Sequence, residues 1–487
     1  MLNSTGFRGL YDVGWQQFRA PLLKALLVIA YCSIVLACFV NYMRGETSLG
    51  LIYVFLAALS PVCLYVALRA PLVFPFCLYI VSLPFDSISS LGSGGTLSKL
   101  LGLLSAVAIV PAVLRTGIPR RLPKAVVAWV LLLAFMLFSL LWTMNSVDGT
   151  SSIQMYGSLI ALYALLALAP VKKFEFNTIL AAIVLEGVIA AGLNAYLFRQ
   201  DAVATGVASS RYILIVGDSS IDPNLLAGAL VLPFAISLYW LFNSRYWALR
   251  VAMLPALAVL LLGFAAAASR EGFIELAAMF AYLIVRSRHR IWLAAILLFS
   301  SVTALLANPA LIERFQQGQR DGGAGRTDIW HIGIYALRDH WLIGAGVGNF
   351  PDAFDREYLN VYAYHLLGWH WVAHNVPLTI ATELGVAGSI IFCIAVFAQL
   401  TALRKCASDM PLSELRLALE GACIAALVAG FFASVLNTKF LWLAFSIMLI
   451  MRTYAFKLKV QGESRGSLSH FGRAWHRAPS ELHETHA

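Results

Sequence analysis

Ala373–Gly388 reads AHNVPLTIATELGVAG. A histidine stands immediately before an apolar run long enough to be a membrane helix. Asn375 is a good N-cap, and Pro377 is tolerated only in the first turn of a helix. The helix therefore begins after His374. That puts the imidazole at a helix mouth, at the water boundary, beside the positive end of the dipole. A second positive charge is unfavourable there, so the neutral ring is favoured. Near a polar surface a neutral imidazole can accept a proton from a hydroxyl. A capping or snorkelling histidine without chemistry fits the same local pattern, and the rest of the chain decides between the two.

The 487 residues are 60% hydrophobic and 12% charged, whereas a soluble domain carries about 25% charged residues. The composition predicts an all-α, polytopic membrane helix bundle. Apolar runs of spanning or near-spanning length lie near 20–40, 49–68, 71–84, 97–114, 124–143, 150–169, 175–198, 222–241, 247–268, 271–286, 291–307, 376–401, 412–434 and 438–457. The run at 71–84 is short and flanked by proline, and 271–286 is split from its predecessor only by Ser269-Arg270-Glu271, so 12–14 spans are expected. No cleavable signal peptide is expected, because no small-residue cleavage site follows the first apolar run. The seven cysteines fall in apolar segments or, for Cys406, in a basic loop, a distribution that predicts neither disulfides nor a thiolate metal site.

The net charge of +10 does not call for nucleic acid, because Lys and Arg of membrane proteins gather in cytoplasmic loops. Arg115, Arg120, Arg121 and Lys124, then Lys172 and Lys173, Arg245 and Arg250, Arg286, Arg288 and Arg290, and Arg404 and Lys405 all fall on one side, with the basic residues after the last span. Both termini are thus expected inside. Four regions follow: an N-terminal transmembrane bundle (1–307), a periplasmic loop region (308–375), C-terminal transmembrane helices (376–457) and a basic cytoplasmic tail (458–487), expected to be disordered. The loop region is too short for an independent domain and should pack on the bundle. It holds an amphipathic helix near Thr327–Asp339 and a glycine-rich turn, GAGVGNF, at Gly344–Phe350. The turn lacks a preceding strand and reads as a tight turn rather than a nucleotide loop.

The outer side is poor in lysine, Lys439 being its only candidate, and carries arginines instead. Arg211 precedes a span in SSRYILIVGDSSIDPN. Arg270, in AAAASREGF, has almost no polar loop around it. An arginine near bilayer depth needs a partner; Glu271 would make Arg270 purely structural, and an anionic substrate would make it a clamp. Guanidinium forks bind phosphate, and a pair could hold a diphosphate without metal. Arg326, in GRTDIW, is either a helix-end contact or a third anion contact. His365, His370 and His374 lie near Asp352, Asp355 and Glu357, but a helix that starts after His374 separates them, and no metal site is expected. Trp369 and Trp371 read as an interfacial belt or a sugar-stacking surface. Glu186, Glu275, Glu383 and Glu420 lie within spans and would mark an ion path if the protein were a transporter.

His374-Asn375 followed by Gly385 and Gly388 resembles the motif of bacterial O-antigen ligases. GRTDIW, LIGAGVGNF, SREGF and SSRYILIVGDSSIDPNLLAG resemble the wider superfamily, which includes O-antigen polymerases and protein O-oligosaccharyltransferases. The resemblance covers about residues 200–390, and one departure is Glu271 in place of a small residue. It implies an inner-membrane glycosyltransferase that moves O-antigen from undecaprenyl diphosphate to lipid A–core oligosaccharide at the periplasmic face, inverting, without metal, nucleotide or other cofactor. It further implies His374 as general base and Arg211, Arg270 and Arg326 as contacts to the diphosphate.

Overall fold

The computed structural model describes residues 60–89, 95–117, 122–205, 214–216, 219–307, 316, 323, 325–361, 368–404 and 410–475. The described chain is an all-α bundle with one small hairpin. In order it comprises α1 (Ser60–Arg69), α2 (Phe76–Ser82) running into a 3-10 turn (Leu83–Ile88), α3 (Leu97–Thr116), α4 (Lys124–Ser139), α5 (Ser146–Leu168) and α6 (Lys173–Thr205). Strands β1 (Leu214–Val216) and β2 (Ser219–Ile221) pair antiparallel, with Leu214 opposite Ile221. Then come α7 (Pro223–Asn243), α8 (Trp247–Ala267), α9 (Arg270–Arg286), α10 (Arg290–Ala307), α11 (Arg326–Asp339), α12 (Phe350–Tyr358), α13 (Val376–Leu400), α14 (Met410–Ala429) and α15 (Lys439–Trp475).

Among the described residues seven helices are long and apolar enough to cross a membrane: α3, α5, α7, α8, α13, and the apolar parts of α6 and α15. The protein is a multi-pass membrane protein. Helices α4, α9, α10 and α14 are shorter or carry more charge, and they pack among the long ones, α9 on α14 and α4 on α13. From 97–114 onward every apolar run read from the sequence is a helix. The run at 20–40 and most of that at 49–68 lie outside the described residues. The run at 71–84 is only the short α2 with its 3-10 turn. The final helix continues to Trp475, so the tail expected to be disordered from Leu458 is helical up to that point.

Alternating helix directions put the basic loops at one end of the bundle. There Lys172 Nζ donates to the Arg69 carbonyl at 3.1 Å, Arg288 Nη2 to Asn243 Oδ1 at 2.7 Å, and Ser287 Oγ to Glu414 Oε2 at 2.9 Å. Mid-bundle, Trp129 of α4 meets Trp442 of α15 edge-on at 5.0 Å between centroids. Buried Gln399 is satisfied there too, accepting from Tyr163 Oη at 2.6 Å and donating to the Phe445 carbonyl at 3.2 Å. An unpaired amide at this depth would be costly, so this pairing fixes how α5, α13 and α15 register.

At the other end the loop region is stapled to the bundle. α13 breaks at Gly385, whose φ of 65° frees backbone groups above and below it. Residues 341–346 satisfy them: Ala345 and Gly346 donate to the Thr382 and Glu383 carbonyls, both at 2.9 Å, while Val386 donates to the Trp341 carbonyl at 2.9 Å. The two backbones touch. A Cβ on Gly344 would lie 2.2 Å from the Glu383 carbonyl carbon, and one on Gly385 2.4 Å from that of Leu342. The glycine-rich turn is thus a docking surface for a kinked helix.

Candidate functional site

The stapled end encloses a cavity of about 520 Å³. Its mouth is polar, with Asp222, Asn224, Glu271, Arg326, His374, Asp86 and Lys439, and its depth is mostly apolar, reaching Pro233 and Ala444. Pro233 lies ten residues into α7 from Pro223, about 15 Å along the helix axis. The cavity therefore joins the water boundary to the bundle interior. Helices α3, α7, α9, α11, α13 and α15 all begin at this end, and their positive dipole ends surround the mouth.

His374 is held by its neighbours. Asn375 caps α13, its Oδ1 accepting from the Leu378 amide at 2.9 Å, with Pro377 in the first turn as the sequence predicts. Trp330 Nε1 of α11 donates to the Ala373 carbonyl at 2.9 Å, Val376 N donates to the Gly430 carbonyl at 2.6 Å, and Asn375 Nδ2 donates to the Phe431 carbonyl at 3.1 Å. These anchors hold His374 at φ 48°, left-handed backbone that a side chain adopts at a cost. Burial, and then the Arg326 charge, hold its imidazole below the ordinary histidine range, while Asp222 acts in the opposite direction. The ring is neutral at physiological pH.

Arg326 opens α11 after Gly325, and its guanidinium donates to Glu271 on α9. Both side chains are largely shielded, 21% and 7% exposed. A carboxylate uses only part of the five-donor fork, so Arg326 keeps donors for a second anion. Glu275 lies one turn below Glu271 and also lines the cavity. A chain of caps aligns the adjoining helix starts: Asp222 accepts from the Asn224 amide at 2.8 Å, Ser269 Oγ donates to Asn224 Oδ1 at 2.8 Å, and Gly272 N donates to Ser269 Oγ at 3.1 Å. The start of α9 sits hard against α7, a Cβ on Gly272 reaching 2.4 Å from Ala227 Cβ.

Of the residues singled out from sequence, His374 and Arg326 share the cavity. Arg270 is the first residue of α9, beside Glu271, and is not among the described residues that line it. Arg211 and His365 lie outside the described residues. The carboxylate next to Arg270 in sequence binds Arg326. His370 is occupied elsewhere, with Nδ1 3.3 Å from Asp355 Oδ2 and its amide donating to Asp355 Oδ1 at 2.5 Å. Trp369 packs edge-on against Tyr358 at 4.9 Å. Among the described residues no three His, Cys, Asp or Glu side chains are grouped to hold a metal ion. Sequence reading missed Asp222, which is an ordinary cap until α7 is seen beside His374, and the Asp86–Lys439 pair, whose members are 353 residues apart.

Residues 207–393 match the family model described as O-antigen ligase. This region has the sequence of the O-antigen ligase/polymerase superfamily. The match contains Asp222, Glu271, Arg326 and His374, so the His374 side of the cavity is built from superfamily sequence. No curated protein matches the chain. The matched region points to a glycosyltransferase-like enzyme.

Proposed function

We propose that the protein is an inner-membrane O-antigen ligase. It takes the polysaccharide from undecaprenyl diphosphate and attaches it to lipid A–core oligosaccharide at the periplasmic face. The observation that carries this reading is the meeting of His374 and Arg326, from two sides of the loop region, in one cavity that runs from a polar mouth into the bundle. Lipid-carried substrates need that geometry, with the polyprenyl chain in apolar surroundings and the phosphates and sugars at the boundary.

In this proposal neutral His374 takes the proton from the attacking sugar hydroxyl as the new glycosidic bond forms. The bond from the anomeric carbon to the diphosphate breaks on the opposite face, so configuration inverts. The departing diphosphate gains negative charge, which Arg326, the surrounding helix starts, and Arg211 and Arg270 stabilise. Glu271 neutralises part of the Arg326 charge and fixes the fork in place, and in this reading Arg211 and Arg270 share the task. No metal is needed for charge that guanidinium groups can carry.

A transporter would need its intramembrane acids along one path, and of the four only Glu186 and Glu275 line the cavity. Glu383 accepts from the Gly348 amide at 2.8 Å and the Phe350 amide at 3.3 Å, and Glu420 accepts from Tyr282 Oη at 2.5 Å, both in bracing roles. The test supplies purified protein with labelled undecaprenyl-diphosphate glycan and two acceptors, rough lipopolysaccharide and a second lipid-linked glycan. Transfer to lipopolysaccharide is expected. Transfer only between lipid-linked glycans would reject the ligase in favour of a polymerase.

A further inference from the structure

A second polar cluster on the cavity wall lies wholly outside residues 207–393. Lys439, the first residue of α15, donates to Asp86 Oδ2 at 2.5 Å and to Ser98 Oγ at 2.6 Å. Asp86 Oδ1 accepts from Thr96 Oγ1 at 2.6 Å and from Ser98 Oγ. Asp86, Thr96 and Lys439 all line the cavity that holds His374.

Two features of this cluster exceed what a structural brace needs. Lys439 places its charge at the positive end of the α15 dipole, where an anion is favoured. A pair selected for stability alone would have the acid on α15 and the base on the turn. Moreover, an ammonium has three donors, of which Asp86 and Ser98 engage two. The side chains of Lys439 and Asp86 are 18% and 33% exposed, so both remain within reach of a ligand in the cavity.

We propose that Asp86, Lys439 and Thr96 form a saccharide subsite that holds the hydroxyls of a neutral sugar ring. The pair is neutral overall and offers a charged donor beside a charged acceptor. That matches adjacent hydroxyls, each of which donates and accepts, better than it matches a phosphate, which the Asp86 carboxylate repels. The inference rests on the glycosyltransferase reading and assigns the sugar-binding wall of that same cavity.

The experiment measures two-substrate kinetics on the full-length protein, with labelled undecaprenyl-diphosphate glycan as donor and rough lipopolysaccharide as acceptor. It compares wild type with Lys439→Gln, Asp86→Asn and the exchanged double variant Asp86→Lys/Lys439→Asp. Loss of a charge-assisted hydrogen bond should raise one KM about tenfold, with kcat within about twofold. A rise in acceptor KM assigns the ring to lipopolysaccharide, and a rise in donor KM assigns it to the lipid-linked glycan. The exchanged variant keeps the ion pair and suits the dipole better, so it should fold but not recover KM. Recovery by exchange, or unchanged KM values in both folded single variants, would overturn the subsite and leave a brace. Should wild type transfer nothing, the ligase reading fails separately, and tryptophan fluorescence with free core oligosaccharide and free O-antigen oligosaccharide then decides. Binding by wild type that Lys439→Gln weakens supports the subsite, and absence of binding by wild type rejects it.

Discussion

At the scale of the residue, the proposed reaction turns on a histidine, His374, whose surroundings keep it neutral. A base must be unprotonated to act, so the rate falls as pH drops through the His374 value. Burial and Arg326 push that value below the usual 6.5, so the acid limb of kcat/KM should lie below pH 6.5. Arg326→Gln removes a positive charge that holds the imidazole below its ordinary range, a change that favours the imidazolium. The limb should move to higher pH while the rate falls. A limb that stays put would show that Arg326 and His374 are not electrostatically coupled. Arg270→Lys should also slow transfer, because an ammonium cannot reproduce a bidentate fork; an undiminished rate would leave Arg270 no diphosphate contact. His374 was legible because its signals, Asn375 and Pro377, are local. The partner of Glu271 was not. Consecutive residues on a helix point about 100° apart, so adjacency to Arg270 decided nothing, and Arg326 reached Glu271 from a segment 55 residues away.

At the scale of the element, the site depends on how the loop region is fastened to α13. Gly344 has a φ of 77° and no space for a Cβ against Glu383. Gly344→Ala should cost more than about 1 kcal/mol, seen as a lower Tm in detergent and as lost transfer. Glu383→Gln keeps the shape but replaces one acceptor oxygen by a donor, leaving the Gly348 or Phe350 amide unpaired. It should cost about 1–3 kcal/mol. An unchanged Tm in both variants would contradict the fastening. Hydropathy made the helices readable, since apolar length is recorded in each segment by itself. The kink at Gly385 was not readable. A positive φ in mid-helix is stable only because residues 341–346 satisfy the broken backbone, and that match belongs to two distant segments together.

At the scale of the whole molecule, basic loops mark one end of the bundle and the cavity opens at the other. By the positive-inside rule, the proposed ligase has its cavity in the periplasm. In a cysteine-free background, Trp369→Cys should react with an impermeant thiol reagent added to cells with a permeabilised outer membrane, and Tyr246→Cys should not. The reverse pattern would put the site in the cytoplasm and exclude a periplasmic ligase. A chelator should leave transfer unchanged, because the proposed charge stabilisation is supplied by guanidinium groups. The most direct test of the central claim is the initial rate of glycan transfer from undecaprenyl diphosphate to rough lipopolysaccharide by purified wild type and His374→Ala, matched for folded protein. The loss of a positioned base predicts a fall of about 10²–10⁴-fold with membrane insertion intact. A wild-type rate in His374→Ala would contradict the account.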